Sequence, residues 1–543
     1  MRKRELVMIM AAITFGSMFL LAGLSLYIVN DMFENPIYAG ERFGPLVHVV
    51  ARSFPIPLSE QESPAFQGLT NPRSQPTMIQ IYDITDLSEE EQIQAKVVQG
   101  LMNRDKPTLY LIEHENEDQF WLSQIDAETE VVSKLDYSVY QTIKYDPDNV
   151  KQKYLAITLA GVHDAMPSTS EGSLYDLTNL SRTDLHNMML ETSEHTNKKM
   201  ISFRSGKIDH IDFIVKNKIF LSPLALQSTT ILPVDHKSSS ESELIREIMS
   251  QMDPDCAMVG YNINAGIAGE VETMNFLSEF GCYSIPVPNV PNLSFFSGLP
   301  REQPSHSTIE SDVQLDDKVY VVILMSDGDN LELPYKRYDS FEQEHENPLT
   351  WSITPFLNEF APPIFNYYSS NLPESDAFVV APSGGGFGYP SRNINLLAFV
   401  EHTDRLMKEL DLQYIWLLDH PYRGYSPELL AKFADISNGL FMEYTILRNY
   451  EDAIEFYKDT PAVWSAAFVE KDGDIAQRII QRTPQERPAF LVIGIEMRYN
   501  SPQHIDSEIA RLDPDLYEVV SAQDFFRLVS QASLPESNNA ISK

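Results

Sequence analysis

From Met78 onward the apolar positions fall into short runs that alternate with amphipathic stretches. The series opens with "MIQIYDI", continues with "SEEEQIQAKVVQGLMNR" and then reaches "PTLYLIE". Short runs of this length read as strands, and the stretch between them carries its apolar residues at helical spacing. Ser88 followed by Glu89, Glu90 and Glu91 predicts a capped helix N-terminus. The same alternation continues through "KYLAITLAGVHDAM", "KIFLSPLAL", "CAMVGYNIN" and "GEVETMNFLSEFG" as far as Ile285. Strands and helices in turn predict a mostly parallel sheet, hence an N-terminal α/β domain over residues 76–310.

A passage rich in Pro and Ser, "VPNVPNLSFFSGLPREQPSHSTIES", interrupts the pattern and marks a domain boundary near Ser305 to Gln314. Few contacts are expected to cross it. Beyond it come "KVYVVILM", "AFVVAP", "QYIWLL", "LFMEY", "AVWSAAF", "AFLVIGI" and "YEVVSA", with helical stretches between and the helix "QDFFRLVSQ" at the end. Seven β/α units predict a C-terminal (β/α) barrel-like domain over 311–531, one strand short of eight. Residues 532–543 form an expected flexible tail.

Ahead of Met78 the pattern differs. "MRKRE" precedes an apolar run from Leu6 to Val29, about the roughly 20 residues a bilayer requires. The run is longer than a signal-peptide core and ends in "LYIVNDMF", so residues 1–30 are read as a transmembrane anchor, with a cleaved signal segment as the alternative. Arg2, Lys3 and Arg4 place that end in the cytoplasm and the bulk outside it, at the cell surface. Residues 31–75, with "NPIYAGERFGPL" and "SFPIPLSEQESPAF", form a Pro-rich spacer.

Composition narrows the partners. A formal net charge of -37 and a sequence pI near 4.6 argue against nucleic acid, whose binding requires clustered Lys and Arg. With 43% hydrophobic and 22% charged residues the chain is globular. Cys256 and Cys282 are the only cysteines; they make neither a disulfide framework nor a four-Cys zinc site, and the spacing leaves a single bridge open.

Active sites of β/α barrels form at the C-terminal ends of the strands. Those ends carry Asp327, Asp329 and Asn330 after the first expected strand, Ser383 to Tyr389 after the second, and Asp419 and His420 after the third. Glu443 ends the fourth, and Glu496 and Arg498 the sixth. Any one carboxylate is more often a cap or an ion-pair partner; their convergence is what suggests chemistry. Asp327 and Asp329, two apart, share a face if the chain there is extended. Glycines 384, 385, 386 and 388 allow close backbone approach or positive φ. Trp351, Phe387 and Tyr389 offer flat faces for a pyranose ring.

Taken together, "GGGFGYP" (Gly384 to Pro390), "SDGDN" (Ser326 to Asn330), "QGLMNRDKPTLYLIE" (Gln99 to Glu113) and "NLSFFSGLP" (Asn292 to Pro300) resemble the GxGYxYP putative glycoside hydrolase family over about Met78 to Val529. The resemblance implies an α/β domain followed by a barrel-like domain, in bacterial extracytoplasmic proteins linked to sugar processing. Phe387 stands where the motif has its first Tyr, which removes any hydrogen bond from that hydroxyl.

Glycosidic cleavage requires one carboxylic acid for the leaving oxygen and one carboxylate as nucleophile or base. Asp327, Asp329 and Asp419 are the candidate catalytic set. Asn330, Trp351, Ser383, Gly384, Gly386, Phe387, Tyr389, His420, Glu443 and Glu496 are candidate carbohydrate contacts. The chain has no G-x-G-x-x-G after a strand, no G-x-x-x-x-G-K-[ST] and no H-E-x-x-H, and no cofactor is called for. "APSGGG" approaches a nucleophile elbow, with Ala381 in place of its first Gly. Two rival readings stay open. One is a metal-dependent polysaccharide deacetylase using Asp327, Asp329 and His420; the other is a non-catalytic, membrane-tethered carbohydrate-binding protein.

Overall fold

The computed structural model describes residues 68–72, 75–203, 210–223, 240–260, 266–287, 289–302, 313–419, 425–443, 453–471 and 473–533. The run Leu6–Val29, most of the spacer, the expected boundary passage 303–312, His420 and the tail beyond Ser533 lie outside the described residues. Among the described residues no helix is long and apolar enough to cross a membrane.

Seven parallel strands close the C-terminal half into a barrel. In chain order they are β1 (Val319–Ser326), β2 (Thr350–Ile353), β3 (Ala377–Val380), β4 (Tyr414–Leu417), β5 (Gly439–Met442), β6 (Thr460–Val469) and β7 (Ala489–Glu496). β7 pairs with β1 along its whole length, from Val319↔Ala489 to Ser326↔Glu496. The other edge of β1 meets β2 only at Leu324 and Met325. Below that point the edge is taken by β8 (Tyr517–Val519), paired to Val319–Val321.

The closed seven-strand barrel matches the expectation, but one strand is misplaced in the hydropathy pattern. "YEVVSA" is β8 and lies outside the closure, whereas "TWSI" is the barrel strand β2. Four residues between Pro348 and Pro355 make too short an apolar run to stand out.

Both faces of β1 are buried, as a parallel strand between a filled interior and outer helices requires. Tyr320, Val322 and Leu324 point inward with Trp416, Phe441, Phe490 and Val492. Phe525 and Phe526, from the last helix (Ala522–Ala532), join the same cluster, Phe526 stacking on Tyr414 at 5.3 Å and lying 4.6 Å from Phe441. Because Tyr320, Tyr414 and Phe490 start their strands, this helix plugs the N-terminal mouth.

Among the described residues the N-terminal half holds three small parallel sheets. Met78–Asp83 lies between Leu109–Ile112 and Glu128–Val131, and Thr142–Lys144 between Met166–Ser168 and Tyr175–Asp176. The third sheet runs Tyr283–Ile285, Ala257–Val259, Met200–Phe203, Phe220–Ser222. The expected helix (Glu89–Met102) has its capping box, Glu91 N–H donating to Ser88 Oγ and Ser88 N–H to the Glu91 carboxylate. Cys256 and Cys282 are joined in a disulfide just ahead of two neighbouring strands of the third sheet.

Contrary to the expectation of sparse contacts, the two halves share one core. Phe213 stacks on Phe360 at 4.8 Å and Tyr283 on Phe356 at 5.6 Å. The end of the expected spacer is also built in, the Leu69 N–H donating to the buried Glu359 carboxylate at 2.7 Å. Buried Asp118 is the densest polar junction. It accepts from the N–H groups of Glu113 and His114 at 2.7 Å, from Tyr335 OH at 2.6 Å and from Asn292 Nδ2 at 3.1 Å. Tyr335 belongs to the barrel half. Asp118→Ala leaves these buried donors unsatisfied and is expected to cost roughly 3–5 kcal/mol, at about 1–3 for each orphaned donor and with partial relaxation. Denaturant unfolding followed separately by a barrel probe and an N-terminal probe should show both halves losing stability together.

Candidate functional site

Three of the seven barrel strands lead into a non-glycine residue in the left-handed region: Asp327 (φ 73°) directly after β1, Ser383 (φ 68°) three residues after β3 and Glu443 (φ 59°) directly after β5. Such backbone costs on the order of 1–3 kcal/mol per residue and persists only where surrounding contacts hold it. At Glu443 those contacts are explicit. Its N–H donates to Leu417 O at 2.8 Å, and its own carbonyl accepts from Trp416 Nε1 at 2.9 Å and from Ser465 Oγ.

Two groups of carboxyls result. The first sits where β1 and β7 meet. Asp327 accepts from Ser326 Oγ at 2.9 Å and pairs with Arg498 Nη2 at 3.0 Å. Glu496 continues the inward row of Phe490, Val492 and Gly494. It is 9% exposed, and its carboxyl is pushed up to about 7 by burial and by the Asp327 charge, partly offset by Arg498. The two carboxyls share Arg498, whose guanidinium lies 3.0 Å from Asp327 and 3.9 Å from Glu496. Asp329 is held well above the usual carboxylate range by burial, by Asp327 and by Glu270, the last from the helix Gly266–Glu279 of the N-terminal half.

The condition for Asp327 and Asp329 to share a face, an extended segment, is not met. Asn330 N–H donates back to Asp327 O at 3.1 Å, making a turn. Gly328 is wedged on β2, its N–H on Ser352 Oγ at 2.8 Å, and a Cβ there would lie 1.6 Å from Ser352 O. Only glycine fits between the two acids.

The second group lies across the mouth, at β4 and β5. Glu443 continues the inward row of Phe441; Tyr425 OH donates to its Oε1 at 2.8 Å, and Asp419 N–H does so at 3.4 Å. Burial, with a smaller push from Asp419, raises its carboxyl to about 8 against the Tyr425 hydrogen bond. Asp419 is itself buried, and its carboxylate accepts from Ser391 Oγ at 2.8 Å and from Ser391 N–H at 3.1 Å.

The remaining candidates serve the framework. Ser383 is fully buried and donates to Leu418 O. Asn330 is buried and caps Glu332 N–H at 3.1 Å. Trp351 is buried in the outer core, its Nε1–H on Asp376 Oδ2 at 2.7 Å and its ring edge-on to Phe341. In the glycine loop, Phe387 is buried at the junction of the two halves, exchanging hydrogen bonds with Ser284 at 2.7 and 2.8 Å. A Cβ on Gly386 would meet the Tyr283 ring at 2.3 Å, and one on Gly384 would meet Thr403 Oγ1 at 2.8 Å. Tyr389 packs edge-on to Phe387, ring centroids 6.0 Å apart, and is likewise buried. Sequence reasoning missed Tyr425, Ser391 and Glu270. The first two are ordinary loop residues in sequence, and Glu270 lies in the other half of the chain.

Among the described residues no group of three His, Cys, Asp or Glu side chains is placed to hold a metal ion. No curated protein matches the chain in sequence. In structure it resembles a putative hydrolase from Bacteroides thetaiotaomicron VPI-5482, with a TM-score of 0.69 at 17% identity over 87% of this chain and 98% of that one. A second structure, the peptidoglycan deacetylase PdaC from Bacillus subtilis, aligns over 42% of this chain and all of that one at 15% identity, and its TM-score of 0.27 carries no argument about fold. Family models match three successive parts of the sequence: the first domain over residues 78–140, the third domain over 198–298 and the C-terminal domain over 317–530. The chain belongs to the GxGYxYP putative glycoside hydrolase family.

Proposed function

We propose that this chain hydrolyses a glycosidic bond at the C-terminal mouth of the barrel, with Glu443 as general acid and the pair Asp327 and Glu496, joined through Arg498, as the base that activates water. One observation carries the reading: Glu443 faces an acidic pair across the mouth with its carboxyl raised to about 8, so that it holds its proton at neutral pH. Environments that separate the proton affinities of facing acids are how one site supplies both roles. Asp327 and Glu496 are assigned to one unit because both lie on the same guanidinium, Arg498, at 3.0 and 3.9 Å. β6 separates β5 from β7, and at ~4.8 Å per strand their ends lie roughly 9 Å apart, within the spacing of an inverting enzyme. Asp329, its carboxyl raised by burial, by Asp327 and by Glu270, is assigned to sugar hydroxyls.

The bulk of the protein is proposed to lie outside the cytoplasm, tethered by Leu6–Val29. Support comes from Arg2, Lys3 and Arg4 ahead of that run and from the buried disulfide, which suits an oxidising compartment.

The test is incubation with a glycan library, scored for new reducing ends, with the first-formed anomer read by proton NMR. An inverted product is expected. A retained anomer would overturn the paired-base assignment, and saturable glycan binding with no new ends would make the chain a binding protein. Release of acetate without new reducing ends, lost to a chelator and restored by a divalent ion, would favour the deacetylase reading.

A further inference from the structure

The glycine loop is gripped from the N-terminal half, and the grip leads to the proposed acid. Asp255 immediately precedes Cys256 and adopts φ 68°. Its carboxylate meets His402 Nδ1 at 2.7 Å, while His402 Nε2 meets Gly385 O at 3.0 Å. His402 is 1% exposed, on the helix Leu396–Leu410, and a Cβ on Gly385 would come within 2.7 Å of its ring. The disulfide ties Cys256 to Cys282. Directly after Cys282, the Tyr283 ring packs over Gly386 and Ser284 pairs with Phe387. Six residues beyond Gly385, Ser391 holds the Asp419 carboxylate, and Asp419 N–H points at Glu443 Oε1.

We propose that Asp255 and His402 are positioning residues: from across the junction of the two halves they fix the glycine loop, and through Ser391 and Asp419 they fix the carboxyl of Glu443. Both ring nitrogens of His402 face acceptors, so one side chain tethers the loop carbonyl to a residue anchored by the disulfide. This role rests on the assignment of Glu443 as the general acid, but the hold on the loop can be measured without substrate.

The experiment compares wild type, Asp255→Asn, His402→Ala and His402→Gln by hydrogen exchange and mass spectrometry on peptides covering 384–391, with peptides covering 319–326 as internal reference. Gln places an amide near the position of Nε2 and can keep the donor to Gly385 O. His402→Ala is expected to speed exchange of the loop by roughly tenfold or more while the β1 reference stays unchanged, and Asp255→Asn to do so less. His402→Gln should restore most of the protection. On a cleaved glycan, His402→Ala should lower kcat by about tenfold with KM little changed, since the loss falls on the orientation of the acid. Unchanged loop exchange in His402→Ala would overturn the proposal. So would equal acceleration in loop and reference, which marks plain destabilisation, or a loss confined to KM. Failure of the acid assignment would appear separately, as full turnover in Glu443→Gln.

Discussion

Glu443→Gln is expected to lower turnover by about 10²–10⁴, the range for loss of a general acid, and at the same time to make the protein more stable in alkaline solution. The first effect should depend on the leaving group. A substrate whose departing oxygen is a weakly basic phenol requires little proton donation, so the loss should shrink there and be largest for an ordinary sugar alcohol. The second effect follows from the position of the carboxyl. Below about pH 4.5, its ordinary value, Glu443 is protonated both folded and unfolded and does not influence the balance. As pH rises from there to about 8, the unfolded chain gives up the proton while the fold retains it, so stability falls through this window and levels off above it. At about 1.4 kcal/mol per pH unit, the burial of Glu443 costs on the order of 3–5 kcal/mol above pH 8. A Gln side chain keeps the shape and does not ionise. Thermal melts between pH 5 and 9 should show the variant's advantage in Tm growing across that window and then holding steady. An advantage that does not vary with pH would remove the claim that Glu443 is held protonated.

The strained strand ends support the same view. Left-handed backbone at Asp327, Ser383 and Glu443, together with carboxyls raised at Glu443 and Glu496, concentrates unfavourable terms at one mouth of the barrel. The opposite mouth is filled by Phe525 and Phe526, whose aromatic packing contributes stability. With the proposed site at that mouth, stability and chemistry are divided between the two ends of the same seven strands.

That division was partly legible in the sequence. The long runs "KVYVVILM" and "AFLVIGI" announce β1 and β7 because strands buried on both faces read as unbroken apolar segments. The acids at their ends, Asp327, Asp329 and Glu496, could be located from those runs alone. β2 was not legible: "TWSI" is four residues bounded by prolines, and Trp351 drew attention as a sugar platform when its indole is tied to Asp376 in the core. The glycine loop misled in a similar way. Its glycines are required, but at Gly385 and Gly386 the space they leave is taken by His402 and Tyr283. Pattern along a chain reports local conformation well, whereas contacts between residues more than a hundred positions apart, such as Tyr283 with Gly386 or Asp255 with His402, leave no periodic trace.

If Asp327 and Glu496 are one base, Asp327→Asn and Glu496→Gln should not add. Each variant alone is expected to cost about 10²–10³ in turnover, and the double variant little more than the worse single one, because either change already removes the shared proton site. Independent roles would instead multiply the two losses. The pH profile supplies a second test. Glu496, raised by burial and by the Asp327 charge, takes up its proton at about 7, so turnover should decline below that pH as the base is lost. It should decline again above about 8 as Glu443 gives up the proton it must donate. A narrow bell between these limbs is expected for the wild type. Asp327→Asn removes the neighbouring charge that helps to raise Glu496, and the acid limb should move to lower pH in whatever activity remains. An acid limb that stays in place would mean that burial alone sets the Glu496 carboxyl and that the pair does not act as a unit. Arg498→Lys offers the matching contrast: Lys keeps a positive charge but not the guanidinium that reaches Asp327 at 3.0 Å and Glu496 at 3.9 Å, so the same limb should move to higher pH.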